Sequence, residues 1–569
     1  MSVCRFTSCV LPTALLLPAL CSGQTASAPG LARLYGTTFS PGGAPLGGVQ
    51  VSVTSLPDGA TRILTTAQDG TYEASRLLPG KYQLLATKDS LTGPADHTLE
   101  LSDGQELRAD VTLSPPAAAT TGNFFHRFFK AYGNDWKPAA PSADSAAPKF
   151  RGEPAAVDGP PFPFSVWPYG GSVVIGQPFT QAAPLMTALW SGSNGDAWKK
   201  SGVQIYGWLN AGANVSTSRS GGYSNFPEAY AERAGFELDQ EVLYIERQPD
   251  TVQTDHIDWG FRVALLYGLD YRFTTANGFL SDQLLNKNRE NGFDVPMFYF
   301  DLYVPKVAQG MDIRVGRYIS LPDVEAQLAP NNYTYSHSLL YTFDCYTQLG
   351  LNSTTKLTNH WLLQLGISPG CDTMPWTSSA KVTLNGCLGY TWTEARNNIY
   401  VCDNSLNDGR YAYNNLQAFY ATWYHKYSKD SRWHSALESW YQYQKDTPNV
   451  NNSAGRALLI NGANGAVCRS LAQVTCFAPE WAIVNYHEYQ ANKHNYLSIR
   501  NEFFDDFAGQ RTGYKTAYSE HTVGWGHWVG TTVLFRPELR WEHSYDALSY
   551  NNGTRHSQLT LASDVILFF

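Results

Sequence analysis

Charged side chains recur at every second position in several stretches of this chain. Near its end, Arg536, Glu538, Arg540 and Glu542 alternate with apolar residues, with aromatic residues and with one proline. A period of two places such charges on one face of a β-strand and the intervening residues on the other. Rows of opposite charge on neighbouring strands can form cross-strand ion pairs, and they can also act on polar solutes as a transverse field. The pattern leaves open whether the charges select solutes or only stabilise a wall.

One predicted loop, 319–342, adds acidic groups to this set. It holds Asp323 and Glu325 between apolar residues that could anchor it inside a pore, where acidic groups would favour cations. An external cap or a subunit contact would explain the same loop equally well. The complete set of pore-lining candidates is Arg262, Asp270, Arg272, Arg314, Asp323, Glu325, Arg500, Glu502, Arg536, Glu538, Arg540 and Glu542.

Catalytic motifs do not accompany these charges. The sequence contains no GxSxG, HExxH or P-loop pattern, and no GxGxxG in a strand–turn–helix context. The pair Asp323 and Glu325 has no predicted helix to orient it as an acid and a base. We therefore predict that the chain is not an enzyme, and we predict no cofactor and no metal site.

The stretch 257–273 shows what kind of element must position the charges. Its odd positions are apolar or aromatic, and all its even positions except Leu266 are small or charged. The odd face is longer and more aromatic than a typical half-buried strand of about 5–6 residues requires. Charges on the even face would be costly in a packed core. A strand with lipid on one side and water on the other satisfies both faces.

The same pattern repeats to the end of the chain. Short and long connections alternate between the strands, as in barrels with short periplasmic turns and long external loops. We therefore predict an all-β fold, in which a transmembrane antiparallel β-barrel of about 16 strands occupies residues 169–569. The predicted strands are 203–216, 236–247, 257–273, 297–304, 311–318, 343–357, 360–369, 381–392, 398–403, 414–427, 432–445, 479–490, 495–506, 516–527, 532–544 and 557–569.

Composition and the N-terminus agree with export. Aromatic residues make up 14% of the chain, and the net charge of −8 argues against nucleic acid as a partner, because such partners require a basic patch. No stretch after the N-terminus is long and apolar enough for a helical membrane span. Residues 1–23, with Arg5 before an apolar run, are predicted to be a signal peptide.

Cysteine usage fits an oxidising compartment. Of the nine cysteines, three lie in the predicted signal peptide. Cys468 and Cys476 flank one short segment and are predicted to form a disulfide. The pairing of the others cannot be assigned from sequence alone; they are Cys345, Cys371, Cys387 and Cys402.

The N-terminal part is predicted to be a separate β-domain. Residues 34–114 contain short alternating strands broken by Asp-Gly and Pro-Gly turns, which predicts a small β-sandwich. A Pro- and Ala-rich linker follows at 115–168. Within it, 123–136 carries a helical apolar stripe. This helix is expected either to lie on the inner leaflet of the membrane or plug the barrel base, or to pack on a neighbouring domain.

Two families resemble parts of the chain. The order GAPLGGVQV, DGTYE and LLPGKY within 34–114 resembles the carboxypeptidase regulatory-like domain, a non-catalytic sandwich. Residues from about Phe162 to Phe569 resemble the OmpL-like β-barrel porin family. The stretches that carry this second resemblance are VQIYGWLN at 203–210, VPKVAQGMDIRVGRYISLPDVEAQLAPNNYTYSHSLLYTFD at 304–344, RNEFFDDFAGQRTG at 500–513 and FRPELRWEHS at 535–544.

The barrel pattern and the porin resemblance together predict an outer-membrane porin with a periplasmic N-terminal domain. Its expected partners are outer-membrane lipid and small hydrophilic solutes that diffuse passively, and it is expected to be able to form a homotrimer. Two alternatives remain open at this stage. One is a plugged barrel that acts as a surface binding or adhesion protein, and the other is a secreted carbohydrate-binding β-protein.

Overall fold

The computed structural model covers the predicted sandwich and barrel. It describes residues 31–40, 43–56, 60–89, 91–93, 98–113, 122–137, 183–218, 235–251, 254–320, 323–392, 397–428, 431–492 and 494–569. The predicted signal peptide and most of the predicted linker lie outside these residues. No helix in the described part of the chain has the length and apolar character needed to cross a membrane.

The N-terminal domain is a sandwich of two small sheets. Strands β4, β1 and β8 form one sheet, with β9 paired to β1, and strands β3, β2, β5 and β6 form the other, with β7 paired to β5. Leu34, Val51 and Leu84 are buried between the sheets. The predicted sandwich is therefore confirmed. Its strands are β1 (Ala32–Phe39), β2 (Gln50–Ser55), β3 (Thr61–Thr65), β4 (Thr71–Leu77), β5 (Gly80–Lys88), β6 (Leu91–Gly93), β7 (Thr98–Leu101), β8 (Glu106–Arg108) and β9 (Val111–Thr112).

The C-terminal domain is a closed antiparallel barrel of 16 strands, as predicted. Each strand pairs with its neighbours in sequence, and β25 closes the barrel by pairing with β10. The strands are β10 (Val203–Ser216), β11 (Gly235–Arg247), β12 (Asp258–Gly268), β13 (Gly292–Val304), β14 (Met311–Ile319), β15 (Thr347–Lys356), β16 (Trp361–Ser368), β17 (Thr383–Trp392), β18 (Asn397–Leu406), β19 (Gln417–Lys426), β20 (Trp433–Pro448), β21 (Thr475–Asn492), β22 (Asn495–Asp506), β23 (Thr516–Val529), β24 (Val533–Ser544) and β25 (Ser557–Phe568).

The two faces of the barrel wall differ as the period of two requires. On β24, Leu539 and Trp541 point outward and are 48% and 39% exposed. Arg540 and Glu542, their neighbours in sequence, point inward and are 0% and 1% exposed. An apolar exterior around a polar interior is the arrangement that suits a strand between lipid and an aqueous lumen.

Within the described residues, six short helices accompany the strands. They are α1 (Phe124–Asp135), α2 (Pro184–Trp190), α3 (Gly195–Ser201), α4 (Asp282–Leu285), α5 (Leu339–Thr342) and α6 (Ser453–Arg456), and 3-10 turns span Leu269–Phe273 and Ala329–Asn331. Helix α1 lies at the end of the barrel that carries the short turns. The hydroxyl of Tyr132 donates to the carbonyl of Phe568 at 2.5 Å, and the carboxylate of Asp135 accepts the amide of Thr531 at 2.8 Å.

The sandwich contacts the same end of the barrel. The guanidinium of Arg62 lies 3.4 Å from the carboxylate of Asp250, which follows β11. Arg76 donates to the carbonyl of Gln309, in the short turn between β13 and β14. The long loops lie at the opposite end, so the N-terminal domain and the long loops flank the barrel from two sides.

One strand prediction was too long. The predicted strand 257–273 ends at Gly268, and a 3-10 turn follows. Gly268 has φ of 142°, and a Cβ there would lie 2.2 Å from the carbonyl oxygen of Asp239. The chain leaves the wall at this glycine, so Leu269, Tyr271 and Phe273 are buried inside instead of facing lipid as their parity predicted.

Candidate functional site

The interior wall of the barrel is lined by buried ion pairs between adjacent strands. Each pair joins an arginine to a carboxylate, and the residues named here are at most 2% exposed. The pairs are Arg262–Glu246 at 2.5 Å, Arg314–Asp301 at 2.8 Å, Arg317–Asp294 at 2.8 Å, Arg500–Glu520 at 3.0 Å and Arg536–Asp564 at 2.5 Å. In these pairs, charges of opposite sign on neighbouring strands satisfy one another, which is one of the two roles that the alternating pattern left open.

A long loop between β14 and β15 enters this interior. We call residues 320–346 the lumen loop. From residue 323 onward nearly all of its residues are buried, including the polar residues Asn331, Thr334 and Ser338. An external loop would expose such residues, so the loop is folded into the barrel and does not form an external cap.

Wall carboxylates accept hydrogen bonds from the backbone of the lumen loop. Glu538 on β24 accepts the amides of Tyr335 and Ser336 at 2.9 and 3.1 Å. Glu502 on β22 accepts the amide of Leu339 at 2.7 Å and also that of Leu340. These carboxylates satisfy backbone donors that burial would otherwise leave unpaired.

Wall arginines bind the carbonyl groups of the same loop. Arg536 donates to the carbonyls of Ala329 and Asn332 at 2.9 and 2.8 Å. Arg500 donates to the carbonyl of Ser336 at 2.6 Å, and Arg540 donates to that of His337. The arginines thus join the wall and the loop, and three of the predicted pore-lining arginines form this docking surface.

Glu325 is the acidic residue of the lumen loop that forms an ion pair with an arginine of the wall. Its carboxylate lies 3.1 Å from Arg500 and accepts the amide of Ser338, and it also accepts the hydroxyl of Tyr486. Burial opposes ionisation of Glu325, but the hydrogen bond from His337 and the charge of Arg500 outweigh it and lower the pKa of Glu325. Burial also lowers the pKa of His337, whose Nδ1 lies 3.4 Å from Glu325.

The far end of the lumen loop is tied to another loop. Cys345 forms a disulfide with Cys371, in the loop between β16 and β17. A second disulfide joins Cys387 and Cys402 on adjacent strands, and a third joins Cys468, in the loop between β20 and β21, to Cys476 at the start of β21. The first of these is the one that limits how far the lumen loop can move.

A small acidic cavity lies between the lumen loop and the wall. Its volume of about 10 Å³ matches the space that one water molecule requires. Asp270 accepts a hydrogen bond from Gln240 at 2.9 Å at its edge. The lining residues are Asn210, Asp239, Asp270, Phe273, Ala329, Asn332, Tyr335 and His337.

Most of the predicted pore-lining residues lie inside the barrel. Arg262, Arg314, Arg500, Glu502, Arg536, Glu538, Arg540 and Glu542 lie on the wall, and Asp270, Asp323 and Glu325 lie in segments folded against it. Arg272 differs. It lies in the 3-10 turn after Gly268, is only half-buried, and donates to the carbonyl of Arg289 at 3.3 Å.

Several functional residues escaped the sequence analysis. Gln240 accepts the amide of Ala329 at 3.0 Å, and Glu438 accepts that of Val324 at 2.6 Å. Glu438 lies on the inward parity of its strand, and that parity was the available signal. Its contact with a loop residue more than a hundred positions away produces no periodic pattern in the sequence.

Comparisons with known proteins agree with this architecture. Residues 202–569 match the family model "Putative beta-barrel porin-2, OmpL-like", and residues 33–114 match the carboxypeptidase regulatory-like domain. No curated protein matches the chain.

Among solved structures, the anion-selective porin of Comamonas acidovorans is 9% identical and has a TM-score of 0.40. That match covers 64% of this chain and 99% of the porin. The channel DcaP of Acinetobacter baumannii is 9% identical with a TM-score of 0.41, over 64% and 97% of the two chains. OprB of Pseudomonas putida is 12% identical with a TM-score of 0.36, over 67% and 98%. The family model spans more than half of the chain, and the chain therefore belongs to the OmpL-like β-barrel porin family.

Proposed function

We propose that this protein is an outer-membrane porin through which small hydrophilic solutes diffuse passively. The observation that carries the proposal is the division of the wall into an apolar exterior and a charged interior, as on β24. Membership of a porin family supports the same function. A barrel of 16 strands is wide enough to hold an aqueous channel.

The lumen loop is the constriction of this channel. It occupies the interior and is held by wall charges from several strands, so the space left for a solute depends on how the loop is docked. Arg500 and Glu538 are central to the docking, because each contacts the loop backbone and lies on the inner wall. Their role is thus to set the width of the path, in addition to any direct contact with a solute.

The orientation follows from the two ends of the barrel. Short turns face the periplasm in outer-membrane barrels. The sandwich contacts the short-turn end through Arg62 and Arg76. We therefore place the N-terminal domain in the periplasm and the long loops outside the cell. A homotrimer is the expected assembly in the membrane.

The deep burial of the lumen loop supports a second candidate function, that of a closed barrel. If the loop never leaves its site, the barrel is closed, and the protein acts at the cell surface by binding or adhesion through its long external loops. The buried polar residues Asn331, Thr334 and Ser338 are the observation behind this alternative.

Solute uptake by proteoliposomes separates the two candidates. Purified folded protein is reconstituted with sugars of increasing size outside the vesicles, and swelling rates are recorded. A porin gives swelling that falls with sugar size. Vesicles that swell no faster than protein-free vesicles would reject the porin and favour the closed barrel. Heat-dependent gel migration of the protein from outer-membrane fractions tests its location, and cross-linking in the membrane tests the trimer.

A further inference from the structure

Three buried carboxylates meet where the lumen loop leaves and rejoins the wall. Asp323 lies near the start of the loop, Asp344 near its end, and Glu438 on the inner face of β20. One oxygen from each carboxylate lies within 4.8 Å of the other two. The three residues are 4%, 1% and 1% exposed.

Each of these carboxylates has one oxygen satisfied and one oxygen bare. Ser320 donates to Asp323 at 3.2 Å, the amide of Val324 donates to Glu438 at 2.6 Å, and Tyr420 donates to Asp344. The other oxygen of each group is buried and accepts no hydrogen bond from elsewhere in the described chain, and the carboxyl groups of Asp323 and Asp344 lie close enough to share a proton. A bare buried carboxylate oxygen is costly unless a cation or a proton reaches it.

Among the described residues, no side-chain cation lies within ion-pair distance of the three carboxyl groups. In the part of the chain that the structure describes, none of the three carboxylates forms an ion pair. Arg511 is the basic group whose charge acts on Asp344. It donates to the carbonyl of Phe343 and lies 3.7 Å from Glu480 instead.

We propose that Asp323, Asp344 and Glu438 bind one divalent cation, Ca²⁺ in the first place. Carboxylate oxygens are hard ligands, which Ca²⁺ binds at about 2.3–2.6 Å. Two ligands of one Ca²⁺ ion therefore lie at most about 5 Å apart, and the three oxygens meet this limit. The corresponding limit for Mg²⁺ is about 4.2 Å, because its ligands lie at about 2.0–2.1 Å.

A cation at this position would join both ends of the lumen loop to β20. It would supplement the disulfide at Cys345, the residue next to Asp344 in sequence. This inference does not depend on whether the barrel conducts solutes, because it concerns how the loop is fixed. The three ligands come from positions 323, 344 and 438, and this separation explains why the sequence predicted no metal site.

Terbium luminescence tests the site in the full-length folded protein. Tb³⁺ replaces Ca²⁺ at oxygen sites and emits when a nearby tyrosine or tryptophan is excited. The hydroxyl of Tyr420 donates a hydrogen bond to Asp344, and Trp440 lies on the same face of β20 as Glu438. We expect one sensitised Tb³⁺ per chain, displaced by Ca²⁺, and at least a tenfold loss of affinity in Glu438→Gln and Asp344→Asn.

Glu488→Gln is the matched control, because Glu488 is equally buried on the neighbouring strand β21 and lies outside the triad. It should bind Tb³⁺ as the wild type does. Equal affinity in the wild type and both triad variants would overturn the proposal, as would the absence of a sensitised ion in folded wild type. If the triad variants do not fold, elemental analysis of dialysed wild type decides. One Ca²⁺ per chain supports the site, and a ratio near zero rejects it.

Discussion

Arg500 on β22 lies 3.1 Å from Glu325 in the lumen loop, and this contact connects the wall of the barrel to the segment that fills it. The same guanidinium lies 3.0 Å from Glu520 on β23. One side chain therefore stabilises both the strand pairing and the docking of the loop. The inner face of the wall, which the sequence shows as alternating charged residues, is therefore the surface on which the lumen loop docks.

Replacing Arg500 should loosen both the wall and the loop. Arg500→Gln removes the cation nearest to Glu325 and Glu520, and breaking a buried ion pair in this way costs about 3–5 kcal/mol. We expect a lower unfolding temperature and a larger single-channel conductance. Arg410→Gln is the control, because Arg410 is exposed and lies 4.0 Å from Asp446. Unchanged stability and conductance in Arg500→Gln would contradict the role of this residue.

Glu538 should determine how often the loop leaves its site. Glu538→Leu removes the acceptor of two loop amides, and each hydrogen bond to a charged group contributes about 1.5–3 kcal/mol. With the reporter Ala326→Cys, a small thiol reagent should label the buried position roughly a hundredfold or more faster in the leucine variant. Asp312→Leu, at a buried wall carboxylate on β14 whose charged neighbours are Asp301 and Arg314, should label at the parental rate. Equal rates in all three proteins would show that Glu538 does not hold the loop.

The disulfide at Cys345 should limit the movement of the lumen loop. Cys345→Ala combined with Cys371→Ala removes a link across 26 residues, which a chain-entropy estimate values at about 3–4 kcal/mol. We expect larger fluctuations of the open-channel current and a lower unfolding temperature. The pair Cys468→Ala and Cys476→Ala removes the link between the β20–β21 loop and the start of β21, and it should leave the current fluctuations unchanged. The same fluctuations in both double variants would exclude a specific tether.

Acidification should weaken the docked loop through His337. Burial lowers the pKa of this imidazole in the folded protein, so the unfolded chain takes up a proton first as the pH falls below about 6.5. Stability supplied by neutral His337 is therefore present above that pH and is lost below it. Between pH 7.5 and 5.5 the unfolding temperature of the wild type should therefore drop relative to that of His337→Gln. His256→Gln, at an exposed position, should keep the wild-type slope, and an identical slope in His337→Gln would contradict the prediction.

The sequence predicts the wall far better than it predicts the loop. Parity along β22 and β24 assigned Arg500, Glu502 and Arg536 to the interior, because lipid and lumen impose a strict period of two. The same rule failed after Gly268, where a close contact with the backbone of Asp239 requires a glycine and turns the chain inward. The odd or even position of a residue predicts which face it lies on only while that residue belongs to a strand.

The docking partners of the loop depend on contacts between distant parts of the chain. Gln240 meets Ala329 and Glu438 meets Val324 across the barrel interior. Each of these contacts depends on closure of all 16 strands, which fixes the positions of the facing side chains. A single sequence contains the residue types but does not indicate which distant residues meet.

Single-channel conductance tests whether the barrel is a porin that its lumen loop constricts. The wild type and a variant in which a short Gly–Ser segment replaces residues 326–340 are compared in planar bilayers, after both show heat-dependent gel migration. If the loop constricts the pore, the wild type gives small conductance steps and the variant gives steps several times larger. Absence of conductance in both folded proteins, or steps of equal size, would contradict it.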